Sequence, residues 1–262
     1  MLELCTLASS SSGNCLLVSS GNTHILVDAG ISCRRITTAL KAMGVDPKAL
    51  SAVLVTHEHS DHIAGLATMT KQLAVPVYAS RGTGMQLCYR IPFLEEVLYT
   101  FTPGERFSLG GVEVETFATP HDAAQSTGYA LSAGGKKAAV VTDLGHVTDE
   151  VTAGIRGAQL LVAEANHDVD WLQSGPYPYF LKSRILGDRG HLSNEAGAQL
   201  VCQAVEDGAR TVVLAHLSRE NNTPQRAYDV VCSALERAGV RVGLDVRLEV
   251  APSAQTGERY QI

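Results

Sequence analysis

A histidine-rich stretch that directly follows a buried strand is the feature that most constrains this fold. The hydrophobic run 52–56 predicts a strand, and the next six positions, 57–62, read HEHSDH. Charged residues make up only 18% of the chain, so this density of ionisable side chains is local. A polar surface loop would explain the stretch by itself, whereas a metal site would require further ligands elsewhere in the chain.

The spacing within the stretch separates it into two pairs of ligands. If the strand direction continues, His57 and His59 point to the same side, because strand side chains repeat every two residues. Asp61 and His62 lie on the turn into the next helix and can face the same pocket from another side. We therefore interpret the stretch as two half-sites, with Glu58 facing away as a spacer.

Candidate ligands that complete both half-sites stand at the ends of later strands. His121, Asp143 and His216 each end a short hydrophobic run that predicts a strand. A single polar residue at a strand end is usually a cap, but four such strand ends favour a metal site. The predicted site has one set of three histidines, a second set of two histidines and an aspartate, and a bridging aspartate: His57, His59 and His121; Asp61, His62 and His216; and Asp143.

These nitrogen and oxygen ligands leave an open coordination position, as a catalytic divalent metal site requires. Two metals about 3.5–4 Å apart can hold a bridging hydroxide as nucleophile and polarise the scissile group. We count Asp61 among the catalytic residues as well as the ligands. Imidazole ligands suit zinc, but phosphate chemistry often uses manganese, so the sequence leaves the two divalent ions as zinc or manganese.

The remainder of the chain predicts an α/β protein. Short β-branched runs alternate with helical patterns, and no linker interrupts them, so we predict one domain over residues 1–262 whose sheets are covered by helices. The predicted elements include a helix over 63–73, a helix that begins after an N-cap at Ser193, and a last strand over 246–250.

Composition limits the classes of partner and the compartment. A net charge of −6 argues against a generally basic protein that coats nucleic acids, while a local basic groove remains possible. No apolar run reaches the roughly 20 residues that a membrane span needs. The six cysteines are scattered without paired spacing, and the amino terminus lacks a basic leader region. We therefore expect a cytoplasmic protein with reduced thiols and no membrane association.

The HEHSDH motif, together with the later histidines and aspartate, resembles the metallo-β-lactamase fold superfamily of hydrolases. The resemblance spans nearly the whole chain, and all seven ligand positions are filled. It implies a four-layer αββα sandwich with the metals at the edge between the two sheets. Asp28, in the sequence LVDAG at 26–30, matches the early Asp-x-Gly turn of that superfamily. The resemblance implies that Asp28 holds the metal ligands in place by contacting them without binding the metal itself.

Four further segments resemble the YycJ/WalJ/VicX group of that superfamily, bacterial cytoplasmic proteins regarded as DNA exonucleases acting from 5′ ends. They read SSSSGNC at 9–15, EANHD at 164–168, GHLSN at 190–194 and AHLSRENN at 215–222. The resemblance implies a dinuclear-metal phosphodiesterase whose substrate is duplex or single-stranded DNA, with RNA left open. It also implies that His191 approaches the scissile phosphate and donates a proton or a hydrogen bond. A helix-capping role for His191 is the alternative.

Several polar residues are candidates for substrate contact because they neighbour these motifs. Basic side chains there can bind phosphates, and aromatic side chains, Trp171 to Phe180, can stack on bases. The alternatives are an ordinary polar loop, solvated surface charge and aromatics that cover the edge of a core. The candidates are Asn166, His167, Lys182, Arg184, Ser193 and Arg219.

Two other classes of function share the same ligands. One is a small-molecule hydrolase, either a cyclic phosphodiesterase or a thioester or lactone hydrolase, and the metal residues cannot distinguish it from a nuclease. The other is a non-hydrolytic protein, a regulatory binder or a redox di-iron domain. A regulatory binder is disfavoured because no ligand position is lost, and a redox domain is disfavoured because no flavin-binding partner domain is recognised in the sequence.

Overall fold

The computed structural model describes residues 1–262 and contains fourteen strands and nine α-helices. The strands are β1 (Glu3–Ala8), β2 (Cys15–Ser20), β3 (Thr23–Val27), β4 (Leu50–Leu54), β5 (Val77–Ser80), β6 (Leu98–Phe101), β7 (Arg106–Leu109), β8 (Val112–Ala118), β9 (Thr127–Ala133), β10 (Lys136–Val141), β11 (Leu160–Glu164), β12 (Thr211–Ala215), β13 (Arg247–Val250) and β14 (Arg259–Gln261). The helices are α1 (Cys33–Ala42), α2 (Ser60–Ile63), α3 (Leu66–Leu73), α4 (Arg81–Arg90), α5 (Asp149–Ile155), α6 (Val169–Ser174), α7 (Tyr179–Leu186), α8 (Asn194–Glu206) and α9 (Pro224–Arg237).

The strands form two seven-stranded sheets with the same pattern of pairing. The first sheet has the order β14-β1-β2-β3-β4-β5-β6, and the second has the order β13-β12-β11-β10-β9-β8-β7. In the first sheet the pairs from β14 to β3 are antiparallel and those from β3 to β6 are parallel. In the second sheet the pairs from β7 to β10 are antiparallel and those from β10 to β13 are parallel. Parallel neighbours end at a common edge, so each sheet gathers several carboxyl ends there.

Three hydrophobic cores separate four layers. A cluster of 23 buried residues fills the space between the sheets, and clusters of 26 and 22 pack each sheet against its own helices. Strand β4 shows the alternation, because Ala52 and Leu54 face the other sheet while Val53 and Val55 face the helices. The predicted αββα sandwich is confirmed. None of the helices combines the length and hydropathy needed to cross a bilayer.

Two of the predicted elements are wrong in detail. The predicted helix over 63–73 is interrupted, since α2 ends at Ile63 and α3 starts at Leu66. Gly65, between them, lies so close to another loop that a Cβ there would be 2.2 Å from the carbonyl oxygen of Ile31. The strand over 246–250 is not the last one, because β14 returns to pair with β1 at the edge of the first sheet.

Candidate metal centre

Six of the nine histidines gather where strands of both sheets end. His57 and His59 follow β4, Asp61 and His62 belong to α2, and the other ligand candidates follow β8, β10 and β12. The structure brings the two predicted sets together, and within each set the ligand atoms lie within 4.8 Å of one another. These sets are His57, His59 and His121, and Asp61, His62 and His216.

Asp143 lies between the two sets. Its Oδ2 is 3.4 Å from Nε2 of His62, and its Oδ1 is 3.5 Å from Nε2 of His216 and 3.8 Å from Nε2 of His121. The Asp143 side chain is almost fully buried. A carboxylate in this position can face two cations at once.

The ring nitrogens that point away from the cluster are held by hydrogen bonds. Nδ1 of His62 is 2.7 Å from Oδ2 of Asp28. The same carboxylate accepts hydrogen bonds from Thr56, whose hydroxyl donates to Oδ2 and whose backbone nitrogen donates to Oδ1. Nδ1 of His121 is 3.0 Å from the carbonyl oxygen of Gly190. Such partners fix the ring orientation and the tautomer, so that Nε2 faces the cluster. Asp28 therefore contacts the side of His62 that points away from the cluster.

Glu164 is a residue of the cluster to which the sequence assigned no role. It is the last residue of β11 and is fully buried, and its Oε1 lies 2.9 Å from Nδ1 of both His191 and His216. One carboxylate therefore orients a ligand candidate and the proposed proton donor. The signal in the sequence was an acidic residue at the end of a buried strand, the same context that identified Asp143.

Three residues of the centre have an unusual backbone conformation. Asp28, Asp143 and His216 have φ of 62°, 61° and 57°, and only one other non-glycine residue in the chain has a positive φ. Each of the three follows a strand end by one or two residues. Residues other than glycine rarely adopt a positive φ. Such strain persists where the surrounding structure demands it, often at functional sites.

The buried charges of the cluster are strongly coupled. Burial lowers the pKa of His57 and of His121, which favours neutral imidazoles, the form that binds metals. Burial opposes the charged form of His216 too, but the carboxylates of Asp143, Asp61 and Glu164 outweigh it and raise its pKa to about 10. This negative potential attracts cations, and a bound divalent ion would displace the proton of such an imidazole.

The residues fit divalent metal ions on two independent observations. The donors are imidazole nitrogens and carboxylate oxygens, the combination that divalent transition metals prefer in catalytic sites. In addition, Nε2 of His57 and Oδ2 of Asp143 are buried and have no hydrogen-bond partner. Buried polar atoms are normally paired, so these two atoms point to a ligand at the cluster.

A cleft of about 270 Å³ lies beside the cluster and is connected to it through His191, whose ring centre is 5.1 Å from that of His121 and 5.2 Å from that of His216. The side chains of His59, Asp61 and His191 are 28%, 21% and 19% exposed, whereas those of His57 and His62 are buried. The solvent-accessible side of the centre therefore belongs to a few residues, and His191 is one of them. The cleft is lined by Ser11, Asp122, Asn166, Tyr177, Leu181, Arg184, Ile185, Gly190, His191 and Ser218.

Two of the residues predicted to contact substrate line this cleft. The Arg184 guanidinium forms an ion pair with Asp122, which lies 3.3 Å from Nε2 of His121. The amide of Asn166 donates to the carbonyl oxygen of His216 at 2.8 Å, so it also fixes a ligand candidate. The Arg184 side chain is about half-exposed, and its guanidinium is held by the Asp122 carboxylate at the edge of the cleft.

The other predicted contacts do not line the cleft. The Lys182 ammonium donates to the carbonyl oxygens of Gln173 and Gly175 at the end of α6, and the Ser193 hydroxyl caps α8. Arg219 lines a neighbouring cavity of 390 Å³. His167 is buried with both ring nitrogens unpaired, and burial lowers its pKa to about 4.

The αββα sandwich with a histidine and carboxylate cluster at its strand ends defines a metal-dependent hydrolase of the metallo-β-lactamase fold. Residues 23–217 match the family of the β-lactamase superfamily domain. The chain is 38% identical over 243 residues to exodeoxyribonuclease YycJ of Bacillus anthracis, covering 92% of each protein. It is 35% identical over 255 residues to exodeoxyribonuclease WalJ of Streptococcus pneumoniae, covering 95% of this chain and 94% of that protein. The chain therefore belongs to the β-lactamase superfamily and, within it, to the family of the YycJ and WalJ proteins.

A solved structure supports the fold assignment. The metallo-β-lactamase fold protein YhfI from Bacillus subtilis superposes with a TM-score of 0.71 at 16% identity, covering 98% of this chain and all of that one. At this identity the likeness extends to the fold alone, and the features of the site come from the residues of this chain.

Proposed function

We propose that this protein is a divalent-metal-dependent exodeoxyribonuclease that removes nucleotides from the 5′ end of duplex or single-stranded DNA. The observation that carries the proposal is the position of His191 and Arg184 in one cleft beside the cluster of histidine and carboxylate side chains. A phosphodiester held there would meet a cationic centre, a guanidinium and a proton donor together. The names of the YycJ and WalJ relatives favour DNA over RNA.

Two divalent ions fit the two sets of ligands. We assign His57, His59 and His121 to one ion, Asp61, His62 and His216 to the other, and Asp143 to both. Bound zinc or manganese would supply Lewis-acid activation of water and of the phosphate. His59 and Asp61 are the ligands at the open side, because their side chains are 28% and 21% exposed.

His191 is the residue that we assign to protonation of the leaving oxygen. Glu164 holds its Nδ1 at 2.9 Å, so Nε2 is the nitrogen that can meet a phosphodiester in the cleft. The buried carboxylate fixes the orientation of the ring. Arg184, released from or shared with Asp122, would bind a non-bridging phosphate oxygen.

The test uses purified protein loaded with Mn²⁺ or Zn²⁺ and four substrates. These are 5′- and 3′-end-labelled duplex DNA, single-stranded DNA, RNA of the same sequence, and bis-p-nitrophenyl phosphate. We expect immediate release of the 5′ label as a mononucleotide and gradual shortening of the 3′-labelled strand. Hydrolysis of the small diester without digestion of any polynucleotide would overturn the nuclease assignment and favour a small-molecule hydrolase.

A variant pair tests the proposed role of His191. His191→Gln should lower the rate of DNA digestion by about 10²–10⁴-fold, while the metal content measured by elemental analysis stays unchanged. His146→Gln is the matched control, because His146 is exposed and its Nδ1 bonds only to the carbonyl oxygen of Asp188. Equal activity of the two variants would contradict the assignment.

We also place the enzyme in the cytoplasm, where its six free thiols would stay reduced.

A further inference from the structure

The cleft beside the metal cluster has one apolar wall, and a single structural segment provides it. Tyr177, Leu181 and Ile185 line the cleft at intervals of four residues, along α7 and the turn that precedes it. Leu181 and Ile185 are four residues apart and lie on the same face of α7, so this face is directed into the cleft. Tyr177 lies two residues before the helix begins. All three side chains are half-buried.

The rest of the lining is polar apart from Gly190. Arg184 also lies on α7, Gly190 and His191 lie between α7 and α8, and the other residues come from loops at strand ends. Ser11 follows β1, Asn166 follows β11 and Ser218 follows β12. Two ionisable groups, Asp122 and His191, lie on the side of the metal cluster. The cleft is therefore apolar along one wall and polar or charged elsewhere.

A nucleotide has the same division into an apolar and a charged part. The faces of its base are apolar and stack on aromatic rings, whereas its phosphate needs cations and hydrogen-bond donors. Tyr177 is the aromatic residue of the lining, and Arg184 and His191 are the donors on the charged side. The neighbouring Tyr179 and Phe180 are 85% and 73% exposed and do not line the cleft.

We propose that the cleft receives the terminal nucleotide of the DNA strand as a single unpaired unit, with its base stacked on Tyr177. This inference rests on the proposed exonuclease function and adds how the end of the strand is held. A base on the α7 wall has its phosphate directed to Arg184 and His191, close to the metal cluster. Because a paired base carries its partner strand with it, the terminal pair of a duplex must open before its nucleotide enters.

The consequence is that Tyr177 determines how well an end binds but takes no part in the chemical step. Stacking is stronger for purines, which have the larger faces, so ends that differ only in the terminal base should differ in KM. Ends that open easily should be digested before stable ones. The kcat for a small diester should not depend on the residue at 177.

The experiment compares three variants with the wild-type protein on 5′-phosphorylated oligonucleotides that end in a purine or a pyrimidine. Tyr177→Ala should raise KM by about tenfold, leave kcat nearly unchanged and remove the difference between the two ends. Tyr177→Phe keeps the ring and should behave as the wild type. Tyr179→Ala is the matched control, an exposed aromatic two residues away that does not line the cleft.

Hydrolysis of bis-p-nitrophenyl phosphate separates the possible failures. The nitrophenyl rings of this diester can also stack on Tyr177, so only its KM should change, and we expect all variants to reach the wild-type kcat at saturation. Metal content and melting temperature show that the variants are folded and loaded with metal. If Tyr177→Ala digests oligonucleotides with the wild-type KM, or loses kcat on the diester as well as on DNA, the stacking role is overturned while the exonuclease function stands. If the wild-type protein hydrolyses the diester but no DNA, both proposals fall.

Discussion

Replacement of Glu164 by glutamine tests how far metal binding depends on the residues that hydrogen-bond to the candidate ligands. Four donors surround this buried carboxylate. Oε1 lies 2.9 Å from Nδ1 of His191 and of His216, and Oε2 accepts from the backbone nitrogens of Leu192 at 2.9 Å and Leu144 at 3.3 Å. A carboxylate offers two acceptor oxygens, whereas the glutamine amide offers one oxygen and two donors.

The size of the effect follows from this mismatch. If the amide nitrogen of Glu164→Gln faces the backbone nitrogens of Leu144 and Leu192, two hydrogen bonds to a charged group are lost. If it faces the imidazoles, at least one is lost, because His216 keeps its proton on Nδ1 when Nε2 binds a metal. Each such bond contributes roughly 1.5–3 kcal/mol, so the free energy of unfolding should fall by about 1.5–6 kcal/mol. His216 and His191 would lose their common anchor, and loss of such a partner typically costs about 10–100-fold in metal affinity or activity.

The assays are chemical denaturation, metal titration against a competing chelator and the rate of DNA digestion. Glu58→Gln is the control, because Glu58 is also a buried carboxylate but accepts from the hydroxyl of Thr83 and the backbone nitrogen of Ala124, with no histidine partner. We expect both variants to be less stable and only Glu164→Gln to bind metal tenfold or more weakly. Wild-type metal affinity and turnover in Glu164→Gln would refute the reasoning.

Three further predictions concern other parts of the centre. Asp28→Asn should weaken metal binding by about 10–100-fold, measured by chelator competition, because it loosens Nδ1 of His62; unchanged affinity would contradict this. Gly30→Ala should lower both melting temperature and metal affinity, since its Cβ would lie 1.6 Å from the carbonyl oxygen of Asp61. Burial lowers the pKa of His167 to about 4. As pH falls from about 6.5 to 4 the unfolded chain binds that proton first, so the free energy of unfolding decreases, by up to about 3 kcal/mol. His167→Gln should lack this part of the dependence in urea denaturation, and parallel curves for both proteins would count against it.

The predicted ligands could be recognised in the sequence because their context is local. His57 to His62 lie on one strand end and one turn, so their relative positions follow from backbone geometry over six residues. His121, Asp143 and His216 each follow a hydrophobic strand directly, and parallel strand ends meet at one edge. The αββα fold followed from the resemblance that these residues carry.

The predicted substrate contacts depended on sequence neighbourhood, which is a weaker guide. Lys182 and Arg184 are two residues apart on α7 and therefore point to different sides of the helix. Arg184 reaches the cleft, whereas Lys182 binds two carbonyl oxygens at the end of α6. Glu58, expected as a spacer, does face away from the cluster, but it is buried and joins the loop after His121 to α4.

The sequence by itself determined which chemical groups are present and how those close in the chain are arranged. The tertiary structure alone decided which residues hydrogen-bond to the candidate ligands and what shape the cleft has. Asp28 is 34 residues from His62, and Glu164 is 52 residues from His216, so these contacts exist only because two sheets bring distant strand ends to one edge. The wall formed by Tyr177, Leu181 and Ile185 likewise depends on how α7 packs over that edge. Local spacing fixes neighbours along the chain, whereas contacts between distant segments are fixed by packing of the whole fold.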